Sequence, residues 1–201
     1  MTLNIGFYDL ARETVVEPLK GFDHVVNLGL DARRAIELNI LVVILTVLLT
    51  QASVYLVDAI SDEPVRPWIS SSGPLADTVF YGALNGFLII GIWAMGRVTG
   101  RSTPLVDVAL IYGWFQFLMV LAQAALIPIT LIVPFLGAFG AVILAIFAQP
   151  YYLVCGVMAA HKFKRPLSVL GGLILVGVVT AMLLQPVMLM LGMEMQNLAE
   201  V

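Results

Sequence analysis

The chain has 201 residues, 61% of them hydrophobic and only 11% charged, with a mean hydropathy of +1.01 and a formal net charge of -3. A soluble domain is about half apolar and about a quarter charged, so this composition excludes an ordinary soluble protein and points to lipid as the solvent. The single cysteine, Cys155, excludes an internal disulfide and any cysteine-based metal cage, and it reads as a small apolar residue buried inside a span.

Residues 1–35 form a charged lead, too short for an independent domain. In "IGFYDLARETVVEPLKGF" the residues Phe7, Leu10, Ala11, Val15, Leu19 and Phe22 recur at helical spacing, with Asp9, Arg12, Glu13, Glu17 and Lys20 largely between them. Pro18 suits the first turn of a second short helix. Such a helix lies in the headgroup plane or packs on nearby loops. His24, with no cysteine or second histidine near it, reads as an ordinary interfacial histidine. No cleavable signal peptide is expected, because the first apolar run starts behind this lead.

Residues 36–193 form the membrane domain. A helix needs about 20 apolar residues to cross the roughly 30 Å hydrocarbon layer. Charge-free runs of this order begin at Leu38 and at Thr78 and give spans at 36–57 and 78–96. Val108 to His161 contains no Lys, Arg, Asp or Glu, and one helix of that length would be about 80 Å long. Pro128 and Pro134 bracket "PITLIVP", and paired prolines predict a break. Two spans result, 107–127 and 135–160, joined by a short apolar hairpin. The fifth span is 168–192, and residues 194–201 form a short outer tail. In lipid the backbone must satisfy itself, so the expected class is all-α, a bundle of five transmembrane helices. A barrel would need alternating segments, and these runs do not alternate.

The cations test this count. Lys and Arg stay in cytoplasmic loops near span ends. The lead carries Arg12, Lys20, Arg33 and Arg34, the turn "RVTGRST" carries Arg97 and Arg101, and "HKFKRP" carries Lys162, Lys164 and Arg165. These segments alternate with every second span and hold nine of the ten cations; only Arg66, in "DAISDEPVRPWISSSGPLAD", falls on the other side. A cytoplasmic amino terminus, an outer carboxyl terminus and an inner (plasma) membrane location are therefore expected. Arg33, Arg34, Arg97, Arg101, Lys162, Lys164 and Arg165 are topological anchors first and lipid-headgroup contacts second.

No ionisable residue is expected deep in a span. Asp107 follows Thr103 and Pro104, a cap and a first-turn proline, and its charge suits a helix amino end. The candidates for polar contact between helices are Asn85, Gln116, Gln123, Gln149 and Gln185. Gln116 and Gln123 share one face; with Asn85 they either glue helices or line a polar cavity. Gln149-Pro150 and Gln185-Pro186 suggest amides that satisfy the carbonyls freed by the prolines. Gly82 and Gly86 offer a small-residue face for packing within the bundle or between copies. Tyr151, Tyr152 and Trp68 fit interfacial or packing roles.

Three longer stretches carry a family resemblance. "DLARETVVEPLKGFDHVVNLGLDARRAIELNILVVILTVLL" resembles the opening of bacterial members of the Yip (Ypt/Rab-interacting protein) family. "MGRVTGRSTPLVDVALIYGWFQFLMVLAQ" is similar to their second cytoplasmic loop and third span, and "YLVCGVMAAHKFKRPLSVLGGLIL" to their fourth loop. The resemblance implies five membrane helices with a cytoplasmic amino end. Eukaryotic relatives act in vesicle traffic with prenylated small GTPases, and bacterial members mostly lack an assigned activity. The Asp-Leu-Tyr-Gly-Pro signature of the eukaryotic branch is missing from this chain, so GTPase binding carries over to no residue.

The expected function is a non-enzymatic scaffold or adaptor that binds protein partners or lipid at the cytoplasmic face. The alternatives are an accessory subunit of a larger membrane complex and a small transporter or channel. Membrane lipid, a protein partner or a second copy through the helices are the expected partners, without nucleic acid. No catalytic residue, cofactor or metal is expected: Gly-x-Ser-x-Gly and His-Glu-x-x-His do not occur.

Overall fold

A computed structural model describes residues 6–60, 69–70, 73–101, 103–192 and 194–195. Two short helices, α1 (Phe7–Val16) and α2 (Pro18–Asn27), precede four long helices and one interrupted one. The long helices are α3 (Ala32–Ile60), α4 (Pro74–Val98), α5 (Leu105–Ile132) and α8 (Pro166–Met190). The interrupted one runs from α6 (Pro134–Ile143) through a π turn (Leu144–Ala148) into α7 (Gln149–His161). Five stretches are long and apolar enough to cross a membrane. The protein is an all-α, multi-pass membrane protein.

Local chemistry explains most boundaries. Asp31 accepts the backbone N–H of Arg34 at 3.0 Å, so its carboxylate caps α3. Pro18, Pro74, Pro134 and Pro166 each open a helix, where the missing N–H costs no hydrogen bond. α4 ends at Val98, and the chain turns away at Gly100, whose φ of 76° few other residues adopt. The N–H of Arg101 then returns to the carbonyl of Gly96 at 2.9 Å, closing the turn.

The break expected across "PITLIVP" is narrower than predicted. α5 continues through Pro128 to Ile132, and Val133 alone breaks the chain. Val133 precedes Pro134 and is driven out of the helical region, with φ -136° and ψ 84°. Pro128 is tolerated because a helix inside a membrane loses one bond there and keeps the rest. α3 likewise begins at Ala32, inside the expected lead.

The interruption ahead of Pro150 is a second departure. The N–H of Gln149 bonds to the carbonyl of Leu144, five residues back. The helix widens by one residue before a proline that has no N–H to give, a π bulge rather than an amide rescue.

Consecutive long segments run in opposite directions. α3 packs on α5 and α4, α8 packs on α4, and α7 packs on α5 and α8. At one end the turns after α4 and α7 meet. At the other, Ile69–Ser70 pairs antiparallel with Glu194–Met195, joining the segment after α3 to the segment after α8. Among the described residues of the main chain, Arg97, Arg101, Lys162, Lys164 and Arg165 fall at the first end, together with α1, α2 and the start of α3. Arg66, Trp68 and most of the tail, 196–201, lie outside the described residues.

Candidate interface at the basic end of the bundle

The lead is built onto the bundle. In α1 and α2 the buried residues are Leu10, Thr14, Pro18, Gly21, Phe22 and Val25. Phe22 is 0% exposed. Its ring lies beside Gly156 of α7, where a Cβ would collide with Ile111 of α5 at 2.9 Å, so glycine is what lets α7 close on α5 beneath α2. Gly21 does the same between α2 and α1: a Cβ there would collide with the backbone of Thr14. Phe7, Val15 and Leu19, expected on the apolar face, are instead exposed. Thr14 takes the inward position.

Polar bonds fix the register of that docking. The indole N–H of Trp114 donates to Thr14 Oγ1 at 3.1 Å, and Thr14 donates to the carbonyl of Leu10 at 2.8 Å. The Tyr152 hydroxyl donates to the carbonyl of Val15 at 2.8 Å. Lys162 pairs with Asp23. Phe7 meets Trp114 edge to face, with ring centroids 5.5 Å apart. Neither Thr14 nor Trp114 was marked by the spacing of apolar residues, because the signal is a polar atom on the packed face.

Within the lead, Glu13 is held by His24 and Lys20. Its oxygens lie 2.5 Å from His24 Nδ1 and 3.0 Å from Lys20 Nζ. The hydrogen bond from His24, then that from Lys20, holds the Glu13 carboxyl below its ordinary value of 4.5, against a smaller opposing effect of burial. The same contact with Glu13, helped by Glu17, holds Lys20 above 10.5. His24 is half-buried and hydrogen-bonded to Glu13 within the lead.

The basic turns are tied together as well. Arg101 donates to the carbonyls of His161 at 2.9 Å and Lys162 at 2.5 Å, at the end of α7, and its guanidinium lies 4.7 Å from the centre of the Phe163 ring. Arg97 stacks over Trp93 at 5.1 Å, and Arg33 pairs with Glu37 at 2.8 Å. Thr103 does not cap α5. It donates to the carbonyl of Ala160 at 2.9 Å, and Pro104 occupies the cap position. Asp107 lies in the first turn of α5, where its charge suits the helix end.

The expected interhelical amides fare differently. Gln116 donates to the Tyr112 hydroxyl at 2.7 Å, four residues back on its own helix. Asn85 is 8% exposed, and its Oδ1 has no partner among the described residues. Gln149 and Gln116 both line a cavity of about 350 Å³ between α4, α5, α7 and α8. Gln123 is half-buried and Gln185 faces outward, so Gln185 bridges no pair of helices. The bonds that do cross helices come from other residues. Asn39 of α3 donates to the carbonyl of Ala109 on α5 at 2.9 Å. Gln51 of α3 donates to Asp77 at 2.5 Å. Asp77 is buried in the first turn of α4, so an acidic residue expected in the loop belongs to the helix. The Gly73–Pro74 pair ahead of it was the available signal.

Gly82 and Gly86 pack against nothing: a Cβ at either would find open space. The glycines at close approaches on this side are Gly91, against Val176 of α8, and Gly96, against the His161 ring. Cys155 is buried, as expected. Among the described residues, no three His, Cys, Asp or Glu gather as a metal site would require. No family model matches the chain, and neither the curated proteins nor the solved structures yield a similar one.

Proposed function

We propose that this is a non-enzymatic membrane protein of the Yip type, seated in the inner (plasma) membrane with its amino terminus in the cytoplasm and its carboxyl terminus outside. In this reading α1, α2 and the basic turns form a rigid cytoplasmic platform for a protein partner or lipid. The observation that carries it is the docking of the lead through Thr14–Trp114, Tyr152–Val15 and Lys162–Asp23.

Helix length supports the placement. α5 has 28 residues, about 42 Å at about 1.5 Å per residue, some 12 Å more than a hydrocarbon layer of about 30 Å. The hairpin at the far end carries no charge, its one hydroxyl, on Thr130, donates back to the carbonyl of Leu126, and Ile132 is 80% and Phe135 77% exposed, so it stays in hydrocarbon and the surplus projects at the basic end. Trp114 lies nine residues into α5, about 13 Å from its start. α1 therefore sits at the boundary between hydrocarbon and headgroups, with α2 against the projecting ends. The alternation of cations supports the same orientation.

Purification in native nanodiscs followed by mass spectrometry tests the platform. A stoichiometric partner that is lost in Lys164→Glu/Arg165→Glu is the expected result, and a solitary protein carrying only bulk lipid contradicts it. A small transporter is the second reading, favoured by the cavity onto which Gln116 and Gln149 open. Solute flux in liposomes, abolished by Gln149→Leu, would establish it instead.

A further inference from the structure

Between α1 and the bundle lies an apolar groove of about 620 Å³, within the roughly 300–1,000 Å³ of small-molecule sites. Its walls include Val15 and Val16 of α1, Leu118 and Ala122 of α5, Leu144 of the π turn and Tyr152 of α7. The hydroxyl of Tyr152 is already committed to the carbonyl of Val15. Arg12 stands on the rim. A second, polar hollow of about 360 Å³ shares Arg12 and Val16 with the groove and is lined also by Asp9, Glu13, Glu17 and His24. The pair of hollows has the shape and polarity of an amphiphile, a tail slot joined to a head pocket.

The charges select the headgroup. Glu13 is taken by His24 and Lys20, Glu17 by Lys20, and Asp23 by Lys162. Among the described residues Asp9 and Arg12 have no ion-pair partner, which leaves one free anion and one free cation a single helical turn apart. A zwitterionic headgroup matches that pair, with its phosphate on the guanidinium and its amine on the carboxylate. A purely anionic headgroup would meet Arg12 but face three carboxylates, Asp9, Glu13 and Glu17. A primary ammonium brings three N–H donors to Asp9, and a quaternary one brings none.

We propose that the groove between α1, α5 and α7 holds one acyl chain of a zwitterionic aminophospholipid, with its phosphate on Arg12 and its ammonium group on Asp9. The site rests on the platform reading, because it requires α1 at the headgroup level. The lipid then fills the gap between the lead and the bundle, while the bonds of Trp114 to Thr14 and of Tyr152 to Val15 keep α1 docked.

The test uses the full chain in nanodiscs of equal phosphatidylethanolamine and phosphatidylglycerol. The probe is phosphatidylethanolamine with a photoactivatable group in one acyl chain. The expected crosslinks fall in residues 118–122 and 144–152. Arg12→Gln should weaken crosslinking about tenfold, the effect of losing one charge-assisted hydrogen bond. Ala122→Phe, which fills the slot, should abolish it, while Trp114 fluorescence stays unchanged and reports that α1 remains docked. Asp9→Asn should remove the preference for phosphatidylethanolamine over a matching phosphatidylglycerol probe. Equal labelling by the phosphatidylglycerol or phosphatidylcholine probes in the unmodified protein, or labelling that Ala122→Phe leaves intact, overturns the proposal. A Val16→Cys probe in a Cys155→Ser background separates the two layers of the argument. Reaction with an impermeant maleimide from the cytoplasmic side, without specific lipid labelling, removes the lipid site and leaves the platform. Failure to react from that side removes both.

Discussion

Along α5, residues 105–120 include ten buried residues, from Val108 to Val120, and residues 121–132 include none. Both stretches are apolar. The first half is enclosed by α1, α2, α3 and α7, whereas the second shares a hairpin with α6, whose buried residue is Gly137 alone. Hydropathy does not separate the two halves, but packing does. In the proposed placement the first turns of α5 lie near water, and apolar side chains there gain about 25 cal/mol per Å² removed from it. From Trp114 onward packing against neighbouring helices does the work. Where lipid is the solvent, that force is absent and close packing between small residues holds helices together. In the second half Gly137 and Gly140 supply it, each meeting α5 where a Cβ would collide with Thr130 or Leu126.

This contrast predicts a gradient of mutational cost. Phe22→Ala, at the centre of the packed half, should lower stability by about 3–5 kcal/mol, measured as denaturant unfolding in mixed micelles. Phe139→Ala, on the bare half, should change it by at most about 0.5 kcal/mol; equal losses would erase the distinction. Gly21→Val should cost about 1–3 kcal/mol by forcing α1 from α2, while Gly82→Val, with open space around it, should be nearly neutral in the same assay. Thr14→Val keeps the shape and removes the acceptor for Trp114, so a loss of about 1 kcal/mol is expected, with a shift in tryptophan emission. The smallest effect is with pH. Glu13 has a lowered pKa when folded, so its contribution is present above about 4.5 and fades as pH falls through the folded value. Lys20 has a raised one, so its contribution is complete below 10.5 and fades as pH rises past it. Protease access to α1 should therefore rise as pH falls through the folded Glu13 value, and Glu13→Gln should abolish that acid limb.

Much of the architecture was legible in the sequence because run length and cation placement are set by the bilayer itself. Five spans follow from run length, and the two helices of the lead follow from apolar spacing and Pro18. The errors have local causes. Pro128 suggested a break, but a membrane helix absorbs one missing bond, and only the residue before Pro134 leaves the helical region. Amides were assigned as glue by residue type, but Gln116 bonds within its own helix. Asn39, closer to the basic end, makes the contact across to α5. Glycine spacing pointed to Gly82 and Gly86 for packing within the bundle or between copies; within the bundle the close approaches are made by Gly91, Gly96 and Gly156 instead. Which face a residue occupies depends on the partner helix, and one chain of letters does not contain that partner. Thr14 shows the same limit, since its role exists only once Trp114 is opposite.

The account turns on where the bilayer lies along the bundle. Nitroxide labels at positions 103, 16 and 135, read by power saturation against oxygen and a water-soluble nickel complex, measure that depth directly. The expected order is 103 in water, 16 at the headgroups and 135 in hydrocarbon. A label at 103 as deep as the one at 135, or one at 16 fully exposed to the aqueous reagent, would contradict it.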